Sequence, residues 1–301
     1  MALQSSGAIK ISEIKAELGS SSNSLRTLSA AAGFSTPDAM SEFYGYSAGP
    51  PPSTKYWQGD GVNDTLRFTN SGIPWSTTTA YTWSAWYRID SSGGAIEQLG
   101  SISTPSPDGS NMVFLQFDGN YNRIYHRVRI GGTFCQRQYP LHDSLSTTGV
   151  SSAGWSSTNR GNTNSDGFVH LVFTWNPSDT THTAVQVYWN GTALGSSVNN
   201  QSGTRSGGWE GGSLAVADLI SSSPYNANVF QGGVDNVAFW HRVLTQTEIT
   251  AMYNSGAPIN AVDAGVTSAL VAEYRLETDF ADITNTLPAL SNLNGGQLIA
   301  Y

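Results

Sequence analysis

The sequence predicts a mainly β protein, a large sandwich or barrel that is preceded by a small helical segment. Only 12% of the residues are charged, whereas 39% are hydrophobic and Gly occupies 32 of the 301 positions. This low-charge, turn-rich composition is typical of large all-β domains rather than helical bundles. Runs of β-branched and aromatic residues, separated by turn signals, recur along residues 56–255 and indicate strands.

Residues 1–47 instead show the periodicity of three short helices, for which Ser12 and Thr36 are the expected N-caps of the first and the third. Helices of about two turns are marginal alone in water. They therefore need each other, a second copy of the chain or another protein. The candidate assembly residues are Ile11, Ile14, Leu18, Leu25, Leu28, Phe43, Tyr44 and Tyr46.

Two interpretations of residues 1–47 remain open, a small accessory helical cap and a docking module that inserts into an assembly. Residues 48–55 contain three consecutive prolines and predict an extended, semi-rigid spacer. Such a spacer suits an anchor that displays a β body, and it suits an ordinary domain linker equally well. We therefore divide the chain into a docking module at 1–47, a linker at 48–55 and a β-sandwich at 56–301, closed by a C-terminal strand.

The composition argues against several classes of partner. The net charge is -8 and no cluster of Lys or Arg is evident along one face, so nucleic acid is not expected as a partner. No run approaches the roughly 18 apolar residues of a membrane span. The N-terminus lacks an apolar stretch of signal-peptide length, so we expect synthesis in a cytoplasm without export by that route. Cys135 is the single cysteine, which precludes an intrachain disulfide.

Near the end of the β body, the stretch VDNVAFWHRVLTQTEITAMYNSG at 234–256 predicts a strand, a turn and then one helix with strong capping signals. Thr245 and Glu248 have the spacing of a capping box, and Leu244 and Ile249 that of a hydrophobic staple. The stretch resembles the closing signature of laminin-G-like, concanavalin A-like jelly-roll domains. In that family the helix packs near the edge of the sandwich, so the resemblance implies a structural role for it.

Three further stretches resemble the same family, and they occur in the family's order. YWQGDGVNDTLRF at 56–68 resembles its opening hairpin, and YTWSAWYRID at 81–90 resembles its aromatic second strand. FVHLVFTWNP with AVQVYWNGTALGSS resembles its central pair, which ends in a turn at Asn190 and Gly191. The resemblance implies a β-sandwich of the jelly-roll type. It does not fix an activity, because lectins, glycanases, adhesion modules and viral proteins all use this fold.

A second resemblance concerns the N-terminal segment and the C-terminal tail. GAIKISEIKAELG, LSAAAG and MSEFYGYS resemble an N-terminal module of tailed-bacteriophage virion proteins. In the tail, LVAEYRL predicts one more strand that closes the sheet near the N-terminal edge. The resemblance implies a virion protein made in the host cytoplasm, bound to other virion proteins through residues 1–47 and favouring a homotrimer. Tail fibre, baseplate and capsid decoration are all compatible with it.

Candidate catalytic groups are few. Glycanases of this fold carry carboxylates as E-x-D-x-x-E on one strand, and the nearest match is Glu277, Asp279 and Asp282. Its last position departs from the pattern and it lies in the C-terminal tail, so we expect solvated turn acids and no enzyme activity. The histidines show no metal spacing. They are His126, His142, His170, His182 and His241.

Ligand-binding candidates come from two residue types. Members of the family often bind calcium in loops at the rim, for which Asp60 and Asp64 are candidates, and Asp235 lies at the family's recurrent acidic position. The alternative is turn chemistry, because Asp-Gly is a turn signal in itself. Trp155 and Trp209 lie in Gly- and Ser-rich loops, where an exposed indole stacks on a sugar ring or anchors a partner. The alternative is that they pin their own loops. The tryptophans expected in the core are Trp83, Trp86, Trp175, Trp189 and Trp240.

The sequence therefore favours a non-enzymatic virion structural protein whose lectin-like sandwich serves surface decoration or adhesion to host glycans. It would bind through long loops at 143–166 and 197–212, without a cofactor other than calcium. Two alternatives remain open, a cement protein of the capsid or tail with no ligand and a polysaccharide depolymerase. The cement protein requires those loops to be buried against neighbours, and the depolymerase requires two carboxylates facing a groove.

Overall fold

The chain forms two compact units, Met1–Pro51 and Pro52–Tyr301, which we describe separately. The computed structural model describes residues 3–4, 6–18, 20–32, 34, 36, 38–44, 53–68, 76, 78–90, 96–103, 111–118, 123–140, 168–195, 197–203, 212–218 and 229–300. Structural statements below refer to these residues.

The first unit contains helices α1 (Ile11–Glu17) and α2 (Leu25–Ala31) and a short 3₁₀ helix, Met40–Phe43. Apolar side chains from the three elements meet in one small core, in which Ile14, Leu28 and Phe43 are fully buried. Elements this short are stabilised mainly by such tertiary contact.

Both of the N-caps expected in this unit, Ser12 and Thr36, are wrong. Helix α1 begins after Lys10 rather than Ser12, because the carboxylate of Glu13 accepts a hydrogen bond from the Lys10 amide at 2.8 Å. The third element begins after Ala39 rather than Thr36, where Glu42 accepts from the Ala39 amide at 3.0 Å. In both cases a Glu at the third helical position satisfies the free amide, so the cap residue needs no polar side chain.

The second unit is built from strands, with one α-helix, α3 (Gln246–Tyr253). The strands are β1 (Lys55–Asp60), β2 (Thr65–Phe68), β3 (Tyr81–Ile89), β4 (Ile96–Ser103), β5 (Met112–Asp118), β6 (Arg123–Ile130), β7 (Thr133–Pro140), β8 (Val169–Trp175), β9 (Val185–Trp189), β10 (Thr192–Ala193), β11 (Val198–Ser202), β12 (Ser213–Val216), β13 (Gln231–Trp240), β14 (Leu270–Tyr274), β15 (Ser291–Leu293) and β16 (Gln297–Ala300).

In the described part of the chain these strands form two antiparallel sheets of eight strands each. The first sheet has the order β10-β9-β8-β3-β13-β1-β16, and β14 pairs with the C-terminal part of β13, from Val237 to Trp240. The second has the order β11-β7-β6-β5-β4-β12-β2-β15. The inner faces of the two sheets bury one apolar core, which is the β-sandwich of the predicted jelly-roll class.

Aromatic residues dominate this core, as the sequence predicts. The five tryptophans expected in the core are at most 2% exposed. Trp83, Trp175 and Trp189 lie between the sheets, whereas Trp86 and Trp240 are buried in two smaller clusters outside that core. The sheets are also joined through polar groups, since the Tyr81 hydroxyl on the first sheet lies 2.6 Å from His126 Nε2 on the second. The Trp83 indole donates to the Tyr87 hydroxyl at 3.1 Å, which in turn donates to the Leu99 carbonyl at 3.0 Å.

The predicted turn at Asn190 and Gly191 is confirmed. Both residues have positive φ, 49° and 77°, as a two-residue hairpin turn requires, and β9 and β10 pair on either side of them.

Two segments differ from their sequence-based interpretation. The expected loop at 197–212 contains strand β11, which pairs with β7 although its residues are almost all polar. The LVAEYRL stretch does form a strand, β14, but it pairs with β13. The C-terminal strand β16 instead pairs with β1 and extends the first sheet beyond the strand that opens the body.

Helix α3 packs on the outer face of the first sheet. The capping box is formed, with the Thr245 hydroxyl accepting from the Glu248 amide at 3.3 Å. The staple residues Leu244 and Ile249 are buried with Met252 against side chains of β8 and β13. The guanidinium of Arg242 donates to both carboxylate oxygens of Glu248, at 2.7 and 2.6 Å, which ties the turn before the helix to its first turn. The predicted structural role of this helix agrees with these contacts.

Candidate lectin-type site

The outer face of the second sheet carries a set of polar and aromatic side chains across β4 to β7. Successive residues of a strand point to opposite faces. On β5 and β6 the inward residues, such as Leu115 and Val128, belong to the core, so the residues between them face outward. We call eight of these outward residues the polar face. They are Gln98, Ser101, Phe114, Gln116, Tyr125, Arg127, Gln136 and Gln138.

Strand register arranges the polar face in two rows that cross the sheet. One row runs Gln98, Gln116, Tyr125, Gln138, each residue opposite the next on the neighbouring strand. The adjacent row runs Ser101, Phe114, Arg127, Gln136 by the same pairings. Directly opposed side chains lie about 5 Å apart at Cβ, so each row places its functional groups side by side.

Three polar atoms in the first row have no hydrogen-bond partner among the residues that the structure describes. Both amide atoms of Gln98 and the Oε1 of Gln116 are buried and unpaired, and the two side chains are 0% and 5% exposed. A buried polar group without a partner costs about 1–3 kcal/mol, and such groups are uncommon in folded proteins. These amides therefore present donor and acceptor capacity that the described residues do not use.

The other end of the first row is held in place by internal hydrogen bonds. Gln138 Oε1 accepts from Arg123 at 3.2 Å and from Asn199 at 2.8 Å. The Tyr125 hydroxyl donates to Asp118 at 2.6 Å. Burial, followed by this hydrogen bond, raises the pKa of Tyr125 to about 12, so its hydroxyl stays a donor at neutral pH. The Tyr125 ring is thus fixed beside the unpaired amides.

Aromatic and cationic groups border this floor. The guanidinium of Arg127 lies 4.2 Å from the centre of the Tyr125 ring and 5.7 Å from that of Phe134. The Phe114 and Phe134 rings are 6.0 Å apart, centre to centre. Phe114, Arg127 and Phe134 are half-buried, so solvent reaches this side of the face. An amide floor bordered by half-exposed rings can bind hydroxyl groups and stack on the apolar face of a ligand.

A sequence-family profile of the laminin G type, described as the concanavalin A-like lectin/glucanases superfamily, matches residues 60–250, more than half of the chain. The chain belongs to this superfamily. Strands β2 to β13 lie within the matched residues, so the polar face lies inside the lectin-like domain. Among curated protein sequences, none matches this chain.

Solved structures agree with the lectin-like fold. A protein from Bacteroides ovatus that is proposed to bind carbohydrate superimposes with a TM-score of 0.50 at 13% identity, covering 83% of this chain and 61% of its own. A native heptameric SAP-like pentraxin from Limulus polyphemus gives a TM-score of 0.51 at 11% identity, covering 82% and 94%. The chain thus spans about 61% of the length of the Bacteroides structure. At these identities both likenesses concern the fold alone.

The sequence did not single out any residue of the polar face. The available signal was the stretch RIYHRVRI of β6, where polar and apolar residues alternate as they do on a half-buried strand. The expectation from the sequence that Lys and Arg form no cluster along one face is wrong for strand β6. Arg123, Arg127 and Arg129 lie an even number of positions apart along β6, with Tyr125 between the first two, and therefore share its outer face.

The predicted ligand-contact and assembly residues lie partly outside and partly inside the described part of the chain. Trp155, Trp209 and Tyr46 lie outside the described residues. Ile14, Leu28 and Phe43 are used in the core of the first unit, and Tyr44 is 44% exposed. Ile11, Leu18 and Leu25 are partly buried against the same core. The docking role of this unit stays a prediction.

The calcium candidates fall into two places. Asp60 and Asp64 line an open cleft of about 440 Å³ beside β1 and β16, while Asp235 is fully buried within β13, opposite Trp86 of β3. Hydrogen bonding from the Val62 amide at 2.8 Å lowers the pKa of Asp60, and burial raises that of Asp64. Within the described ranges, no group of three or more His, Cys, Asp or Glu side chains is arranged to hold a metal ion.

The acids at 277–282 organise the backbone. Asp282 is buried rather than solvated as expected, and it accepts hydrogen bonds from the amides of Glu273, Thr286 and Leu287 at 2.9, 2.9 and 2.8 Å. Glu277 accepts from the amide and the hydroxyl of Thr54, at 2.9 and 2.6 Å. Glu277 thus ties the tail to the start of the body, and Asp282 organises the backbone of the tail itself, so both have a structural role.

No helix among the described residues is long and apolar enough to cross a membrane.

Proposed function

We propose that this chain binds carbohydrate without catalysis and that the polar face is its binding site. The observation that carries the proposal is the unpaired pair of amides, Gln98 and Gln116, on the floor of that face. Amide groups both donate and accept, as sugar hydroxyls do, so one bound saccharide can satisfy both side chains. The half-buried Phe114 ring in the adjacent row supplies apolar surface on which a pyranose ring packs.

The state of the nearby acids supports binding rather than glycoside hydrolysis. A glycosidase needs two carboxyl groups that flank the scissile bond and are free to move a proton or attack. On this side of the second sheet, Asp118 accepts the Tyr125 hydroxyl and Asp218 lies 3.8 Å from the Arg67 guanidinium. Both of these described acids already serve internal partners, so we propose that neither acts as the acid or the base of a depolymerase.

The setting of this binding protein is a further part of the proposal. We propose that residues 1–47 anchor the lectin-like body to other virion proteins, with host-surface glycans as targets. The support is the resemblance of GAIKISEIKAELG and MSEFYGYS to an N-terminal module of tailed-phage proteins, together with the division into two compact units. Trimeric assembly, favoured by the same resemblance, belongs to this part of the proposal.

The test compares two Gln→Ala variants in a saccharide-binding assay. Gln116→Ala removes an amide from the polar face, and Gln297→Ala removes one from the cleft on the other sheet. Purified full-length protein is screened on a glycan array, and the best ligand is titrated by calorimetry. We expect Gln116→Ala to weaken binding about tenfold, the effect of one or two lost hydrogen bonds, and Gln297→Ala to leave it unchanged.

Two results would overturn the proposal. An array on which the folded protein binds no saccharide argues against carbohydrate binding and favours a cement protein. Loss of binding in Gln297→Ala but not in Gln116→Ala moves the site to the cleft at Asp60 and Asp64.

A further inference from the structure

The three arginines on the outer face of β6 differ in what they contact. Arg123 donates to Gln138 at 3.2 Å, and Arg129 donates to the Gly132 carbonyl at 3.2 Å. Arg127 lies between them, and its Nε has no hydrogen-bond partner in the described part of the chain. Among the residues that the structure describes, no carboxylate lies within ion-pair distance of Arg127.

A half-buried cation without an anion is costly. Its neighbours in register are Phe114 and Gln136, which are uncharged, and its guanidinium stacks on the Tyr125 ring at 4.2 Å. The nearby carboxylate, Asp118, accepts the Tyr125 hydroxyl. Burial lowers the pKa of Arg127, while Tyr125 and Asp118 raise it in part. Arginine remains charged under these conditions, so the desolvated charge persists and attracts an anion.

The position of this cation bears on the ligand. Arg127 is directly adjacent to the row of Gln116 and Tyr125, two residues further along β6 than Tyr125. The guanidinium lies over the Tyr125 ring at 4.2 Å, and its Nε–H has no acceptor among the described residues, so it keeps a donor for a ligand. A planar fork of N–H donors matches a carboxylate or a sulfate in two-point contact.

We infer that the ligand of the polar face is an anionic saccharide, whose carboxylate or sulfate group is bound by Arg127. This inference rests on the proposed function, since it names the class of carbohydrate that the same site takes. The amides of Gln98 and Gln116 bind hydroxyls of the sugar while Arg127 supplies the counter-charge. The overall charge of the chain is -8, so attraction of an anion must come from this local group of arginines and not from the molecule as a whole.

The experiment titrates the full-length protein with three polymers, polygalacturonate as the carboxylate, dextran sulfate as the sulfate and dextran as the neutral control. We expect binding of at least one anionic polymer and much weaker binding of dextran. Arg127→Gln should lower the affinity about ten- to a hundredfold, the range for a charged hydrogen bond. Arg127→Lys should recover part of it, because Lys restores the charge without the fork.

A matched variant, Arg26→Gln, controls for net charge. Arg26 lies in the first unit with a 74% exposed side chain, so its replacement changes the total charge by the same amount away from the face. We expect it to bind all three polymers as the natural chain does. Thermal unfolding of each variant shows that the fold is retained. Raising the salt concentration should weaken binding to the natural chain more than to Arg127→Gln.

The outcomes separate the two proposals. Equal binding of neutral and anionic polymers, with Arg127→Gln unchanged, overturns the anionic ligand and leaves carbohydrate binding in place. Equal loss in Arg26→Gln and Arg127→Gln attributes the effect to net charge and also overturns the inference. If no saccharide binds to the folded protein on polymer or array, the proposed function itself fails. A preference for polygalacturonate over dextran sulfate, or the reverse, identifies the anionic group.

Discussion

Two buried histidines couple the stability of the fold to pH. His126 lies between the sheets, with Nε2 at 2.6 Å from the Tyr81 hydroxyl, and His170 lies under helix α3, with Nε2 at 2.8 Å from the Ser84 hydroxyl. Burial lowers the pKa of each to about 3. Both imidazoles are therefore neutral in the folded protein at any pH above that value.

We expect the free energy of unfolding to fall as the pH is lowered from 6.5 towards 3. The unfolded chain binds a proton at each histidine near pH 6.5, whereas the folded chain does so near pH 3. Between these values the unfolded state holds more protons, so stability rises with pH. Urea unfolding at pH 6.5, 5.8 and 5.0 measures this slope above the range in which most carboxylates titrate.

His126→Gln provides the control for that slope, because an amide keeps a hydrogen-bonding group beside Tyr81 but does not titrate. The variant should be less stable overall and show a shallower dependence on pH between 6.5 and 5.0. An unchanged slope in the variant would contradict the assignment of this dependence to His126.

At the scale of elements, helix α3 shows how local signals and tertiary contacts agree. Thr245 caps the helix while Glu248 accepts from the Thr245 amide at 2.8 Å, and both are adjacent to the buried staple residues Leu244 and Ile249. Hydrogen bonds from Arg242, more than any other contact, lower the pKa of Glu248 to about 2. The carboxylate is thus charged at neutral pH and completes both the capping box and the ion pair.

We expect Thr245→Ala to destabilise the second unit by about 1 kcal/mol, the usual effect of removing an N-cap side chain. Thr250→Ala is the matched control in the same helix, because the Thr250 hydroxyl donates only to the helix's own Gln246 carbonyl at 2.8 Å and Ala is a better helix former. Urea unfolding of both variants at pH 7 gives the comparison. Equal destabilisation by the two substitutions would show that the cap contributes nothing specific.

Elements with strong local signals were predictable from the sequence, and those specified by distant contacts were not. The capping box of α3 and the Asn190-Gly191 turn each depend on a few neighbouring residues, so both can be recognised from the sequence alone. Strand β11 reads VNNQS and has no apolar alternation. It becomes a strand because β7 offers it a free edge, to which it pairs at Val198, Gln201 and Ser202.

The polar face was missed for the same physical reason. Its two rows are assembled from β4, β5, β6 and β7, and the register between strands determines which side chains meet. A single Gln in a strand pattern, such as Gln98, carries no sign that another Gln lies opposite it. The sequence instead predicts Trp155 and Trp209 as contact residues, because an indole in a polar loop can be recognised from its immediate neighbours.

At the scale of the whole molecule, the chain has two compact units with a boundary between Pro51 and Pro52. The hydrogen bonds of the second unit begin just after it. The Ser53 amide donates to the Pro258 carbonyl at 3.3 Å, and Glu277 accepts from the Thr54 amide and hydroxyl. The first hydrogen bonds described for the second unit therefore lie just before the start of β1 at Lys55, and the sequence-based boundary at residue 56 stays a prediction.

We expect a chain that begins at Ser53 to fold as a stable monomer, whereas the full chain associates through its first unit. The second unit contains both sheets, their common core and α3, so removal of residues 1–52 takes away none of the contacts that close the sandwich. Among its described residues, the first unit fully buries only three apolar side chains, Ile14, Leu28 and Phe43, and leaves several others partly exposed. Light scattering gives both masses, and circular dichroism confirms that the shortened chain is folded.

If both chains are oligomers, the sandwich itself makes the contact between copies, and this result favours the cement protein over an adhesion protein. If both are monomers, self-association through the first unit is wrong, and that unit requires a different protein as its partner.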